Sequence, residues 1–312
     1  MTQDPPVSQQ NEDVRPADAA NCAPVRTSAR VWAQRISIGF VGVVISLLII
    51  YADRPEFLAV FLMGMACWGL HEFYRAVRRQ NVEPSEVLGM IACVLFLASA
   101  LEPDKPVFNQ YLPVLLALLM IAALLVELVK SGSHPIPNLG TTLLGAIYVG
   151  WLLSFYLRLR MMTHHSVVMN SNIPNSHVGS WLVILVCAVT WMGDTAGMVA
   201  GNFLGRHKLA PSISPAKTWE GAIGGIGCAT LFGAGLGTYL GFNLPASVAI
   251  SLLMAVFGLI GDLCESALKR NLGLKDFGGA MGAHGGILDR IDSLLFTAPV
   301  AYYFILVFLS PK

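Results

Sequence analysis

The stretch LPASVAISLLMAVFGLIGDLCESALKRN, Leu244–Asn271, carries no charged residue until Asp262. Its apolar part, about 245–265, is long enough to cross roughly 30 Å of hydrocarbon as a helix. Inside a bilayer no water is at hand for backbone amides, so a helix is the state such a run must adopt. Asp262, Ser266, Lys269 and Arg270 then stand at i, i+4, i+7 and i+8, on one face. An acid inside a membrane helix is costly and marks a face turned toward protein or water. The plainer alternative is an Asp262–Ser266 packing pair, with Lys269 and Arg270 as ordinary basic flanks.

The same pattern recurs along the chain. Apolar segments run at about 36–52, 57–74, 86–102, 110–129, 137–157, 180–197, 219–241, 245–265 and 289–309, separated by turn-forming stretches such as ADRPE, EPDKP and GFNLPA. Of the 312 residues, 55% are hydrophobic and only 12% charged, about half the charge of a soluble domain. The expected fold is an all-α integral membrane protein of about nine transmembrane helices. Residues 1–30 read as a disordered polar tail and 31–312 as one polytopic membrane domain, with its chemistry in about 180–312. A net charge of +1 gives nucleic acid no electrostatic purchase. The six cysteines show no metal-binding spacing.

Basic residues set the expected orientation. With a cytoplasmic N-terminus and nine crossings, thirteen basic residues fall inside, among them Arg75, Arg78, Arg79, Lys130, Arg206, Lys208, Lys217, Lys269, Arg270 and Lys275, against five outside. Arg158 and Arg160 are among the five, and are expected to reach back to the interface.

Two polar stretches fall on that inner side. One runs from Gly193 to Gly221, GDTAGMVAGNFLGRHKLAPSISPAKTWEG. The other begins with GDLCESALKR and continues through LKDFGGAMGAHGGILDRIDS, Leu274–Ser293. Asp289 and Asp292 share a helix face, and Gly285 and Gly286 leave amides free near a helix start, where phosphate oxygens bind. Simple complementation of the helix N-terminus accounts for one of those acids. Carboxylates on two helices, with no cysteine and little histidine nearby, suit a hard cation such as Mg2+. Lys269, Arg270, Lys275 and Arg290 suit phosphate. Together they form the equipment for phosphoryl or nucleotidyl transfer. His284 is a candidate proton donor, equally suited to a turn or to phosphate binding. Glu72 reads as structural, paired with Arg75. GNFLGRHK lacks the ending of a P-loop.

Ser266–Ser293, SALKRNLGLKDFGGAMGAHGGILDRIDS, resembles the signature of the phosphatidate cytidylyltransferase (CDP-diacylglycerol synthase) family: S-x-x-K-R, then K-D, then H-G-G-x-x-D-R-x-D. Asp194, Ser214, Pro215, Lys217, Thr218, Glu220 and Gly221 match the upstream region of that family, whereas Gly197, Met198 and Asn202 depart from it. The resemblance implies transfer of CMP from CTP to phosphatidate, giving CDP-diacylglycerol and pyrophosphate with Mg2+ and room for a second cation. It implies Asp262 and Asp289, with Asp292, as metal-binding acids. Ser266, Lys269, Arg270, Asp276, His284 and Arg290 are carried over as catalytic groups, and Asp194, Ser214, Lys217 and Lys275 as substrate contacts. The expected partners are CTP, phosphatidate and the bilayer, with a homodimer as a candidate assembly. The expected location is a bacterial inner or plasma membrane, crossed many times.

An ion-coupled secondary transporter is the rival of another class, but no internal repeat is visible and the acids gather toward one side. A CTP-dependent lipid kinase would share the metal and phosphate groups without the long His-Gly-Gly-Asp-Arg-Asp run. A CDP-alcohol phosphotransferase would need a D-G-x-x-A-R pattern, which is absent.

Overall fold

The structure is a computed structural model and describes residues 41–101, 106–130, 134–169, 172–278 and 285–310. The N-terminal tail, 1–30, and His284 lie outside these residues. The helices are α1 (Val41–Tyr51), α2 (Pro55–Val77), α3 (Glu86–Ala98), α4 (Pro106–Lys130), α5 (Pro135–Arg160), α6 (Val178–Leu204), α7 (Trp219–Tyr239), α8 (Leu244–Asn271) and α9 (Leu288–Phe304). Two of them contain wider, π-type winding: Ala146–Trp151 within α5, and Ile305–Leu309 continuing α9. Among the described residues, seven helices are long and apolar enough to cross a membrane; α1 and α3 are shorter. The chain is an α-helical membrane protein, and large side chains such as Leu48, Val129, Phe203, Leu231 and Phe308 face outward from it.

The polar stretch between α6 and α7 carries a short ribbon. Lys208–Ala210 (β1) and Ser214–Thr218 (β2) pair as an antiparallel ribbon, with Lys208 opposite Thr218 and Ala210 opposite Ser214. Thr218 ends the ribbon and begins α7: its Oγ1 accepts the Gly221 amide at 3.1 Å, filling one of the orphan donors of a helix start. Glu220 holds the incoming strand, taking the Arg206 and His207 amides at 3.1–3.2 Å and the His207 ring at 2.6 Å.

Long-range hydrogen bonds sort the helix ends into two groups. At one end, Gln80 after α2 reaches Leu272 O after α8, and Glu72 of α2 meets Leu288 of α9. Lys130 at the close of α4 reaches Glu83 O before α3, and Asn138 in α5 accepts the Glu83 amide. The ribbon lies at this end too, since Arg270 of α8 donates to Ile213 O at 3.0 Å. At the opposite end, Arg160 closing α5 donates to Ala52 O and Ser176 O, Ser180 to Ile50 O, and the Val168 amide to Leu309 O. Arg158 and Arg160, expected to reach for an interface, are instead buried, at 7% and 6% exposure. Arg160 fastens α1 and α6 to α5 through backbone carbonyls.

Small residues let α6 and α7 approach closely. A side chain at Gly225 would place its Cβ 2.7 Å from Gly193 O and 3.0 Å from Gly197 Cα; one at Gly221 would meet Gly197 O at 2.8 Å. Without a hydrophobic drive between helices in lipid, such backbone approach is a main source of cohesion. Gly225→Val should therefore lower stability by about 1–3 kcal/mol, because backbone atoms cannot yield as a side chain can. Gly227, where a Cβ would meet nothing within 4 Å, is the control. Thermal unfolding in detergent should show a lower midpoint for Gly225→Val and an unchanged one for Gly227→Ala.

Candidate active site

Three helices and the ribbon bring their polar groups together inside the bundle. Asp262 lies on α8 about 14 Å from the helix's end, at 1.5 Å per residue. Its Oδ2 meets Lys217 Nζ of β2 at 2.5 Å, and its Oδ1 accepts from Ser266 at a long 3.4 Å. Asp194 on α6 opens onto the same space. It lies near Ser293 of α9 and within electrostatic reach of Asp292, Asp262 and Lys217. Asp292 accepts the Ser293 amide at 2.6 Å. Close contact brings α8 and α9 together here: a Cβ on Gly261 would lie 2.9 Å from Asp292 O.

This cluster borders a groove of about 270 Å³ between α6, α7, α8 and the ribbon. Its wall is apolar or small, with Val189, Ile226, Met254 and Leu259 beside Gly193, Gly197 and Gly225. Asp194, Lys217 and Asp262 are its charged groups. Met198, one of the departures from the family pattern, lines it as well.

A second cluster is more closely shielded from solvent. Lys269 Nζ stands 2.9 Å from Asp289 Oδ1 and 3.0 Å from Glu265 Oε1. Asp289 also accepts the Gly286 amide at 2.8 Å and the Phe277 amide at 3.1 Å. Asp289 thus clasps the two ends of the glycine-rich stretch and ties them to α8. Arg270 is directed to the carbonyls of Ile213 and Leu274, bracing the ribbon rather than facing the carboxylates. Ser214 begins β2. Lys275 and Asp276 are exposed beyond α8, and Arg290 is exposed on the first turn of α9.

The structure divides the three acids that the sequence grouped as metal ligands. Among the described residues, no three His, Cys, Asp or Glu side chains converge closely enough to hold an ion. Asp289 turns to Lys269, whereas Asp262 and Asp292 stay within electrostatic reach of each other. Asp194, Asp262 and Asp292 offer only oxygen donors, the type that a hard divalent cation takes. The Lys217 ammonium, buried against Asp262, already marks this as a place for positive charge.

Three residues were not legible as parts of this region. Glu265 is fully buried beside Lys269. Glu72 accepts the Leu288 amide at 3.2 Å, in place of the expected pairing with Arg75, which is exposed. Tyr148 stands in the π-type winding of α5, a distortion often found at functional sites. Its ring meets Phe296 edge-on at 6.5 Å, and its hydroxyl is buried with no hydrogen-bond partner among the described residues. Glu265, Asp292 and Asp262 are its electrostatic neighbours. It lies within the π-type winding, which sequence periodicity does not reveal.

The two clusters should respond differently to loss of their lysines. Lys269→Met strands two carboxylates in the interior, and breaking a buried pair costs about 3–5 kcal/mol. Lys217→Met leaves Asp262, whose side chain is 29% exposed, beside an open groove, and should cost less than Lys269→Met. Thermal unfolding in detergent should show a large drop for Lys269→Met and a smaller one for Lys217→Met.

The sequence pattern of the cytidylyltransferase family matches residues 33–308. The phosphatidate cytidylyltransferase of Synechocystis is 32% identical over 296 residues, covering 88% of this chain and 97% of that protein. That of Bacillus subtilis is 31% identical over 281 residues, covering 88% and 98%. The Staphylococcus aureus enzyme is 39% identical over 124 residues, 39% of this chain and 48% of that protein. The match takes in both charged clusters, the ribbon and every helix from α1 to α9, and the chain belongs to the cytidylyltransferase family.

Proposed function

We propose that this chain transfers CMP from CTP to phosphatidate, forming CDP-diacylglycerol and releasing pyrophosphate. The observation that carries this reading is the juxtaposition of an apolar groove with Asp194, Lys217 and Asp262 at its polar border. One substrate is held by lipid and the other is a charged nucleotide, so a site must present an apolar wall and a phosphate-binding edge together. The groove suits acyl chain, and Lys217 suits the phosphate attached to it. Names of relatives covering nearly their whole length support the same reaction.

Asp262 and Asp292, with Asp194 beside them, are the carboxylates that would hold Mg2+. A bound Mg2+ would neutralise phosphate charge and polarise the phosphoryl oxygens. Lys217 pairs with Asp262 until a phosphate competes for its ammonium. Lys269 holds Glu265 and Asp289 together and so fixes α8 and α9 beside the site. Asp289 keeps the glycine-rich stretch against α8, and Arg270 keeps the ribbon carrying Lys217 in place. Ser266 lies next to Asp262 and is within reach of a phosphate bound there. The nucleophile is the lipid phosphate itself, already an anion near neutral pH.

In the same proposal, this chemistry lies on the cytoplasmic side of a nine-crossing bundle. Support comes from the sorting of helix ends: the end bearing Glu72, Lys130, the ribbon and Lys269 also carries Arg75, Arg78, Arg79, Arg206, Lys208 and Lys275. The opposite end carries Arg54, Arg158 and Arg160, of which two are consumed in buried contacts. Basic residues accumulate on the cytoplasmic side. The shared end of α2, α8 and α9 also calls for α3 to cross despite its length, and a cytoplasmic N-terminus calls for α1 to do the same. Membership in a homodimer is part of the same proposal.

Purified protein given CTP, phosphatidate and Mg2+ should release pyrophosphate and form CDP-diacylglycerol; no product at any Mg2+ concentration would defeat the reading. Asp262→Asn should reduce turnover at least about 100-fold, the scale seen when one preorganised electrostatic group is lost. Unchanged turnover would remove Asp262 from the site. Sidedness is tested in a background lacking the native cysteines. Ser212→Cys should react with an impermeant thiol reagent only from the cytoplasmic face, and Ser176→Cys only from the other. The reverse pattern would put the ribbon outside.

A further inference from the structure

Glu72 lies far from the signature in sequence, yet it sits against both ends of the glycine-rich stretch. It is 4% exposed, and its Oε2 accepts the Leu288 amide at 3.2 Å. Its Oε1 is buried with no hydrogen-bond partner among the described residues. A Cβ on Gly278 would collide with Glu72 Oε1, and one on Gly286 with Glu72 Oε2. Both glycines are thus shaped around this carboxylate. Neighbours on α2 extend the seat: Gly69 faces Leu288, and the Phe73 ring lies 5.9 Å from that of Phe277. The residues seated there are the ones that grip Asp289, through the amides of Phe277 and Gly286. Asp289 in turn holds Lys269.

A simple cap does not need this arrangement. A helix start is capped by Ser, Thr, Asp or Asn from its own chain segment, whereas here a carboxylate arrives from another helix and keeps one oxygen unused in the interior. Its negative charge faces the positive end of the α9 dipole, where anions are favoured. Moving Glu72 would shift Gly278 and Gly286 together, and with them both amides on Asp289.

We propose that Glu72 is a positioning residue for CMP transfer: it fixes the Phe277 and Gly286 amides that orient Asp289, and through Asp289 it fixes Lys269. The proposal rests on the transfer activity proposed above. It assigns the α2 helix a part in the chemistry, not only in the scaffold.

The test is a double-mutant cycle between Glu72 and Asp289 in the full-length protein in detergent with lipid. Glu72→Ala should lower kcat at least tenfold while KM for CTP stays within twofold, and Glu72→Gln, which keeps an acceptor for the Leu288 amide, should recover most of that loss. In an Asp289→Asn background, Glu72→Ala should cause less than a twofold further change, because its effect passes through Asp289. Equal and additive losses in both backgrounds, or an unchanged kcat for Glu72→Ala, would overturn the proposal. Gly278→Ala is the second variant, used whether or not Glu72→Ala folds. It leaves Glu72 in place but pushes its carboxylate, and should lower kcat at least fivefold at unchanged KM; a wild-type kcat would count against the clamp. If the wild-type protein transfers no CMP, the activity reading itself has failed. The physical clamp is still read then, from thermal midpoints: Gly278→Ala should lower the midpoint in wild type and leave it unchanged in Glu72→Ala.

Discussion

The structure depends on how charge is stored in an apolar bundle. Lys269 is held between Glu265 and Asp289, with contacts of 3.0 and 2.9 Å, and all three are largely shielded from solvent. Separating such groups from water costs several kcal/mol per ion, recovered only if partners are well placed. The partners here come from both α8 and α9, and Asp289 also needs amides from the glycine-rich stretch. The ion pair therefore dictates that α8, α9, Phe277 and Gly286 meet in one arrangement. Removal of Lys269 leaves two buried acids without compensation, whereas removal of either acid leaves the lysine paired with the other.

A second arrangement of charge sits next to the first and is built to open. Lys217 reaches Asp262 from the ribbon, at the edge of a groove rather than in the packed interior. The glycines of α6 and α7 bring those helices to backbone contact, and their lack of side chains leaves the groove its volume. Rigid packing and an accessible polar edge thus come from the same small residues. The site has a fixed part, around Lys269, and an exchangeable part, around Lys217, which suits binding of two phosphates that repel each other.

Much of this was legible in the sequence because it is local. The apolar runs, the face shared by Asp262 and Ser266, and the motif around Lys217 are all set by spacing within one element. What was missed depends on distant contacts. Glu72 reads as an interface residue pairing with Arg75 until Leu288 is seen beside it. Arg160 reads as a misplaced charge until its bonds to Ala52 O and Ser176 O are known. Tyr148 stands in a change of helical winding, and periodicity assumes the winding constant. The ribbon is three and five residues long and broken by prolines, too short for an alternating pattern to stand out. Asp289 and Asp292 share a helix face, as their spacing requires, but spacing says nothing of the lysine that draws one of them away.

The central claim is that this protein works by placing charge, bringing the lipid phosphate directly onto the α-phosphorus of CTP with no side chain entering the covalent chemistry. No histidine-activated serine or cysteine stands among the described residues of the two clusters, and Ser266 is the one hydroxyl beside Asp262. The most direct measurement is the configuration at the α-phosphorus after transfer from CTP made chiral there with sulfur. Inversion is the result expected of a single direct displacement. Net retention would mean two displacements through a nucleotidyl-enzyme, and would contradict the account.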